Sequence, residues 1–377
     1  MKINNSIYKL YYQWWKNIDK SIFYLISLLF FMGLFFSLVS TSLIASDKLD
    51  TNSYFFFFKH FIFISIGMSI IFFFSFITSE KLFFFSIILF FIFFISLLLV
   101  PIIGIEVKGS KRWIDLFILP RFQPIEILKP FFIVFIATIL SNEKNRNVLI
   151  KYSLSFIPVL VILFLLMLQP DIGQTLLILF SWLVLIFISG VNLFYIFGFC
   201  LLIMFLLSYF IIFVPRFEYV QGRILSFFDR DNGNYNFQSE KSIESIVSGG
   251  FLGKGIGEGT LKGKVPEAHT DYIISVISEE FGVITIMLIL FLFLIFIYTI
   301  FKKTYFENNQ KKKIILVGCA SLILMQATIH IGVNIRLFPT TGMTLPFLSY
   351  GGSSIISISF LSGIILNLTR RRINHKL

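Results

Sequence analysis

The sequence predicts an all-α, polytopic membrane protein with about ten spanning helices, and three observations carry that reading. The 377 residues are 57% hydrophobic and only 14% charged, with a mean hydropathy of +0.88, whereas soluble domains carry about 25% charged residues. Apolar runs of ~20 residues recur along the whole chain, each long enough to cross ~30 Å of hydrocarbon as a helix. The runs do not alternate apolar and polar residues in ~10-residue segments, which argues against a β-barrel.

The expected spans, in order, are 21–45, 54–78, 83–103, 124–141, 153–169, 172–190, 192–214, 271–301, 314–335 and 343–368. The first follows Lys2, Lys9, Lys16 and Lys20 and is too long for a signal-peptide core, so it reads as a retained helix. The second and third are Phe- and Ile-rich runs separated near Lys81. The fourth opens on Pro124, tolerated at a helix start because its missing N–H would have no partner there. The fifth and sixth are separated by the turn Gln169-Pro170-Asp171-Ile172-Gly173. The seventh follows a nearly bare connection, the eighth a long polar loop, the ninth a basic stretch over 302–313. The tenth begins in irregular backbone and ends at Arg370-Arg371-Arg372.

An even number of spans puts both termini on one side. The basic start and end make that side the cytoplasm. The chain then reads as one membrane domain, 1–377, with 1–20 and 369–377 cytoplasmic. Loops 104–122 and 215–270 lie outside, the larger between spans 7 and 8. The net charge of +12 sits mostly beside spans and reads as orientation, with no nucleic-acid role. Four positive residues in the short loop 104–122 run against the orientation rule, which suggests an anionic partner on the outer face. The 51 phenylalanines accompany abundant Ile, Lys and Asn, the mark of nucleotide composition rather than of an aromatic ligand path. Cys200 and Cys319 lie in apolar runs and form no metal or disulfide framework.

Polar stretches gather at the expected outer ends. Gly109-Ser110-Lys111-Arg112-Trp113 offers cations for phosphate oxygens and an aromatic that can stack on a sugar or anchor at the interface. Gln123-Pro124-Ile125-Glu126-Ile127-Leu128-Lys129 places Glu126 and Lys129 on one helix face, either as a neutralising pair or as part of a cleft. Asp171 is a ligand candidate or a helix N-terminal carboxylate. The long loop holds Arg223, Asp229-Arg230-Asp231 and the glycine-rich Ser248–Gly257, which lacks the context of a nucleotide motif. Glu267-Ala268-His269-Thr270-Asp271 leads into a span that, as one straight helix over 271–301, would be ~46 Å long and would have to project or tilt. There Asp271 suits a general base, partly desolvated near the surface, or a first-turn helix carboxylate. Asn334–Ser354 is too irregular to lie at membrane depth unless buried or lining a wet cavity. Ser349 has no His partner in that stretch and is not read as a nucleophile.

Together these stretches resemble the SEDS family of cell-wall polymerases (shape, elongation, division and sporulation), over nearly the whole chain and in the family's order. Gly342-Met343-Thr344-Leu345-Pro346 and Glu267–Asp271 resemble the division-type branch more than the elongation-type. Ile125 departs from a usual serine, and Arg336 stands where glycine is common. The resemblance implies a peptidoglycan glycosyltransferase that polymerises lipid II during cell division, with Asp271 as the catalytic residue. The substrate-binding candidates are Lys111, Arg112, Trp113, Gln123, Glu126, Lys129, Glu267, His269, Thr270, Ser349, Tyr350, Gly351, Gly352 and Ser353. It further implies a bacterial cytoplasmic-membrane location at the septum, and no covalently bound cofactor. The leaving pyrophosphate is met by Arg and Lys or by a divalent cation, Mg or Mn. Partners are lipid II, the undecaprenyl-pyrophosphate-linked glycan, a class B penicillin-binding protein and other divisome membrane proteins. Two other classes stand beside this one: a lipid II flippase, which calls for polar residues through the bundle and on both faces, and a non-catalytic divisome scaffold.

Overall fold

A computed structural model describes residues 2–49, 54–107, 110–116, 120–142, 148–228, 233–261, 265 and 267–370. Asp229, Arg230, Asp231, Pro266, Arg371 and Arg372 lie outside the described residues. The helices are α1 (Lys2–Asn17), α2 (Lys20–Leu49), α3 (Phe55–Phe76), α4 (Ser79–Ile103), α5 (Pro124–Leu140), α6 (Val148–Leu168) and α7 (Ile172–Ile188). They continue as α8 (Leu193–Phe213), α9 (Glu218–Phe228), α10 (Gly233–Gly249), α11 (Ile273–Tyr305), α12 (Gln310–Asn334) and α13 (Gly352–Leu368). A hairpin of β1 (Ile105–Val107) and β2 (Ser110–Trp113) follows α4.

Helices α2–α8 and α11–α13 fall on the ten predicted runs. Side-chain caps start several of them: Thr78 accepts from Lys81 N, Asp171 from Gln174 N, Asn192 from Phe194 N and Asn309 from Lys312 N, satisfying amides that a first helical turn leaves open. Among the described residues, seven helices are long and apolar enough to cross a membrane. The remaining three, α5, α7 and α13, have 17 residues each, about 26 Å of helix. They are also among the most enclosed: nearly every residue of α5 and most of α13 is buried. A helix wrapped by protein need not match the hydrocarbon thickness by itself. By contrast α8 faces outward, with Phe194 80% and Phe205 68% exposed.

The centre is α5, α12 and α13, with α3 and α4 on one flank and α7 and α11 on the other. Close approach of α3 to α13 depends on Gly67, since a Cβ there would overlap Ser359 Oγ, as small residues permit between membrane helices. At the end of the bundle away from Asp271, Asn367 Nδ2 donates to Phe74 O (2.8 Å) and Ile77 O (2.7 Å).

The eighth predicted run is not the single straight helix expected. Gly282 (φ 78, ψ 174) breaks α11 after its first nine residues. The freed backbone groups are taken up by the segment after α10: Lys254 N donates to Glu279 O (2.9 Å), Gly255 N to Glu280 O (3.0 Å) and Val283 N to Gly250 O (3.0 Å). Irregular backbone at this depth is tolerated because neighbouring protein completes its hydrogen bonds. The loop 215–270 is itself structured, carrying α9 and α10, with α10 packed on α11. A connection of this length holds its place by building helices of its own. At the N-terminus, α1 is pinned where Trp14 Nε1 donates to Ser75 Oγ (2.9 Å).

Candidate active site

Asp271 lies in the turn before α11, not in its first helical turn, and is half-buried. Its N–H donates to Glu267 O (3.1 Å). Its carbonyl accepts from Asn334 Nδ2 (3.0 Å), which also donates to His330 O (2.9 Å). The carboxylate faces Gly342: a Cβ on that glycine would stand 3.4 Å from Asp271 Oδ2. Three segments thus converge on Asp271: the 267–272 turn, the end of α12 and the Pro339–Thr344 strip. Glu267 (φ 54), Arg336 (φ 56) and Phe347 (φ 66) take left-handed backbone without being glycine, and such outliers cluster where surrounding structure enforces them. The φ of Arg336 is one that glycine adopts at no steric cost. Its guanidinium lies near Glu240, with Nη1 3.8 Å from Glu240 Oε1.

The stretch before α13 serves as the frame of that turn. Ser349 Oγ donates to Thr270 O (2.6 Å) and accepts from Leu345 N (2.8 Å), a structural use consistent with the absence of a nucleophile's base. Tyr350 N donates to His269 O (3.0 Å), and the Tyr350 ring lies among His269, His60 and Phe56. Thr270 Oγ1 reaches Glu267 Oε2 (3.2 Å). Gly351 caps α13, and Gly352 lies against the Phe63 ring so closely that a Cβ would collide with it. Ser353 Oγ accepts from Gln123 N (3.0 Å).

Deeper in, charged and amide side chains form a ladder across α5, α7, α12 and α13. Lys129 and Glu126 are both buried, with Lys129 Nζ 2.9 Å from Glu126 Oε2. Gln174 Nε2 donates to Glu126 Oε1. Lys129 Nζ donates to Gln326 Oε1 (3.1 Å), whose Nε2 donates to Thr344 O (3.1 Å). Thr344 Oγ1 and Ser354 Oγ stand 2.7 Å apart. The pair is therefore neutralising, and it also ties the ladder to the strip beside Asp271. Ile125 is fully buried in the core next to it.

Above the ladder, Arg112 forks onto the α6–α7 turn: Nε donates to Gln169 O (3.1 Å), Nη2 to Pro170 O (2.7 Å), and Nη1 lies 3.4 Å from Asp171 Oδ2. Asp171 also accepts from Gln123 Nε2 (3.2 Å) and caps α7. Arg112, Gln123 and Asp171 thus hold the α5 and α7 entrances together. Lys111 is exposed on β2, while Trp113 beside it is half-buried.

Sequence reasoning passed over several residues that the structure gathers. Arg223, quoted only as part of a loop, is half-buried and donates from Nη1 to Thr340 O (2.9 Å), beside the strip facing Asp271. Gln174 and Gln326 stand outside the polar stretches, and Asn334 only opens the last of them. A lone amide inside an apolar run was the available signal, since such residues at membrane depth are costly. Among the described residues no group of three or more His, Cys, Asp or Glu could hold a metal ion.

Known proteins resemble this chain over most of its length. Residues 19–374 match the "Cell cycle protein" family of FtsW, RodA and SpoVE. The chain is 30% identical over 362 residues to the probable peptidoglycan glycosyltransferase FtsW of Caulobacter vibrioides, covering 95% of this chain and 91% of that one. It is 35% identical over 282 residues to the FtsW of Trichlorobacter lovleyi, 72% of each. A chain of the solved structure described as "Structural coordination of polymerization and crosslinking by a peptidoglycan synthase complex" superposes with a TM-score of 0.75 at 25% identity, covering 93% and 97%. The rod shape determining protein RodA of Thermus thermophilus shares the fold, with a TM-score of 0.67 at 24% identity over 93% and 96%. The chain belongs to the cell-cycle protein family of FtsW, RodA and SpoVE.

Proposed function

We propose that Asp271 is the general base with which this multi-pass membrane peptidoglycan glycosyltransferase joins lipid II units into glycan strands. The observation that carries the reading is the placement of its carboxylate: half-buried, against Gly342, on a turn fixed by Asn334, Ser349 and Tyr350. A base must be positioned before it is useful, and that positioning is provided here by backbone hydrogen bonds on both sides of the residue.

In the reaction, Asp271 takes the proton of the GlcNAc 4-hydroxyl on the acceptor. The oxygen attacks the MurNAc anomeric carbon of the donor strand, and the bond from that carbon to the pyrophosphate breaks with inversion. The undecaprenyl pyrophosphate leaves with the electron pair. Cations of the outer end stabilise the developing charge: Arg223, held at the Thr340 carbonyl beside the strip facing Asp271, and Lys111, exposed on the hairpin before α5. Arg112, Gln123, Ser349, Tyr350 and Ser353 support the shape of the cleft through the contacts above, and Trp113 is the aromatic available to a sugar ring.

In this reading the Asp271 end faces the outside of the cytoplasmic membrane, where lipid-linked sugars are polymerised, and both termini face the cytoplasm. The crosslinking partner is a class B penicillin-binding protein, and the site of action is the division septum, as the FtsW relatives suggest. The test is polymerisation of labelled lipid II by the purified protein with its transpeptidase partner. Asp271→Asn is expected to abolish chain growth while membrane insertion and partner binding persist. Chain growth at the normal rate by that variant would remove Asp271 from the chemistry.

A further inference from the structure

At the end of the bundle opposite Asp271, the elbow between α1 and α2 meets the end of α11. We propose that this elbow binds the phosphate headgroup of an anionic phospholipid. A cavity of about 630 Å³ opens there, lined by Lys16, Asp19, Lys20, Tyr298, Lys302 and Lys303 among others, a size typical of small-ligand sites. Four lysines surround a single carboxylate, and that carboxylate is already committed. Asp19 Oδ2 lies 2.7 Å from Lys303 Nζ, and Oδ1 accepts from Ile22 N (3.2 Å). Lys16, Lys20 and Lys302 are exposed, and among the described residues no carboxylate pairs with them. Lys20 is held over the Trp15 ring, 5.5 Å from its centroid. Three uncompensated positive charges therefore face one space.

A lipid fits this space better than a free anion, because apolar stripes lead from it into the membrane. On α2, Tyr24, Leu28 and Phe31 are exposed; on α11, Phe291, Leu294 and Tyr298 are exposed. Each set recurs at helical spacing, so each lies on one face, and α2 packs against α11. Acyl chains can lie along these stripes while the phosphate sits among the lysines. Trp15 and Tyr24, 6.1 Å apart, mark the headgroup level, where such aromatics settle. Helix α1, with Tyr8, Tyr11 and Tyr12 exposed, has the form of an interfacial helix. Basic pockets between membrane helices are known sites for anionic headgroups.

The experiment is native mass spectrometry of the full chain released from nanodiscs of phosphatidylcholine with phosphatidylglycerol. Wild type is expected to retain phosphatidylglycerol. The variant Lys16→Gln/Lys20→Gln/Lys302→Gln is expected to retain it at least about tenfold less, as loss of several lysine–phosphate attractions predicts. The variant Lys9→Gln/Lys81→Gln/Lys313→Gln loses the same net charge from the same end of the bundle and is expected to behave as wild type. Equal loss in both variants overturns the proposal, as does full retention in the first. Displacement of the lipid by millimolar inorganic phosphate overturns the choice of a lipid over a free anion. Retention reads binding in either leaflet, so its failure is separate from any failure of the topology proposed above.

Discussion

Asn334 gives the sharpest test of how the active turn is held. Its side chain is completely buried, and its Nδ2 donates to both Asp271 O (3.0 Å) and His330 O (2.9 Å). Asn334→Ala leaves these carbonyls without that donor. A buried acceptor stripped of its partner costs ~1–3 kcal/mol. If that free energy is what favours the productive position of the Asp271 turn, the rate falls roughly 5- to 150-fold. The loss should appear in kcat with little change in the KM for lipid II, because the contact orients a reacting group and does not bind substrate. Asn334→Asp is nearly isosteric, yet it sets an acceptor against two carbonyl oxygens, so it should be worse than the alanine. The assay is initial-rate polymerisation of fluorescent lipid II, normalised to folded protein. A wild-type rate for Asn334→Ala, or an aspartate variant milder than the alanine, would refute the argument that this amide preorganises Asp271.

Two further outcomes follow from the packing. Lys129→Met should destabilise the protein by ~3–5 kcal/mol, because it leaves the Glu126 carboxylate buried without its cation; adding Glu126→Leu should restore most of the loss, read as the thermal midpoint in detergent. Gly282→Ala puts a side chain at φ 78 and drives its Cβ into Phe251 O, at ~1–3 kcal/mol for the backbone alone; proteolysis within residues 250–261 should become faster, whereas Gly198→Ala, with open space around its Cβ, should leave it unchanged.

The family resemblance and the ten helical segments were legible because they depend on local properties. Apolar length announces a helix in lipid, where every backbone group must find its partner within the segment. The Glu126–Lys129 pair followed from helical spacing, and the capping role of Asp171 from its place between Pro170 and Gly173. The break at Gly282 was not legible: a glycine in an apolar run reads as tolerated, and only the approach of the Gly250–Gly255 backbone reveals why the helix stops. Arg112 read as a phosphate ligand by its charge, but the Gln169 and Pro170 carbonyls that occupy it are distant in sequence.

The sequence by itself determined a membrane bundle with an acidic residue ahead of α11 and polar, irregular backbone before α13. The tertiary structure alone decided that those two stretches meet, so that Ser349, Tyr350 and Asn334 hold the turn of Asp271. Hydropathy is a property of each run taken singly. Hydrogen bonds between residues 79 positions apart, as from Ser349 to Thr270, or 230 apart, as from Gln123 to Ser353, exist only once the helices have packed.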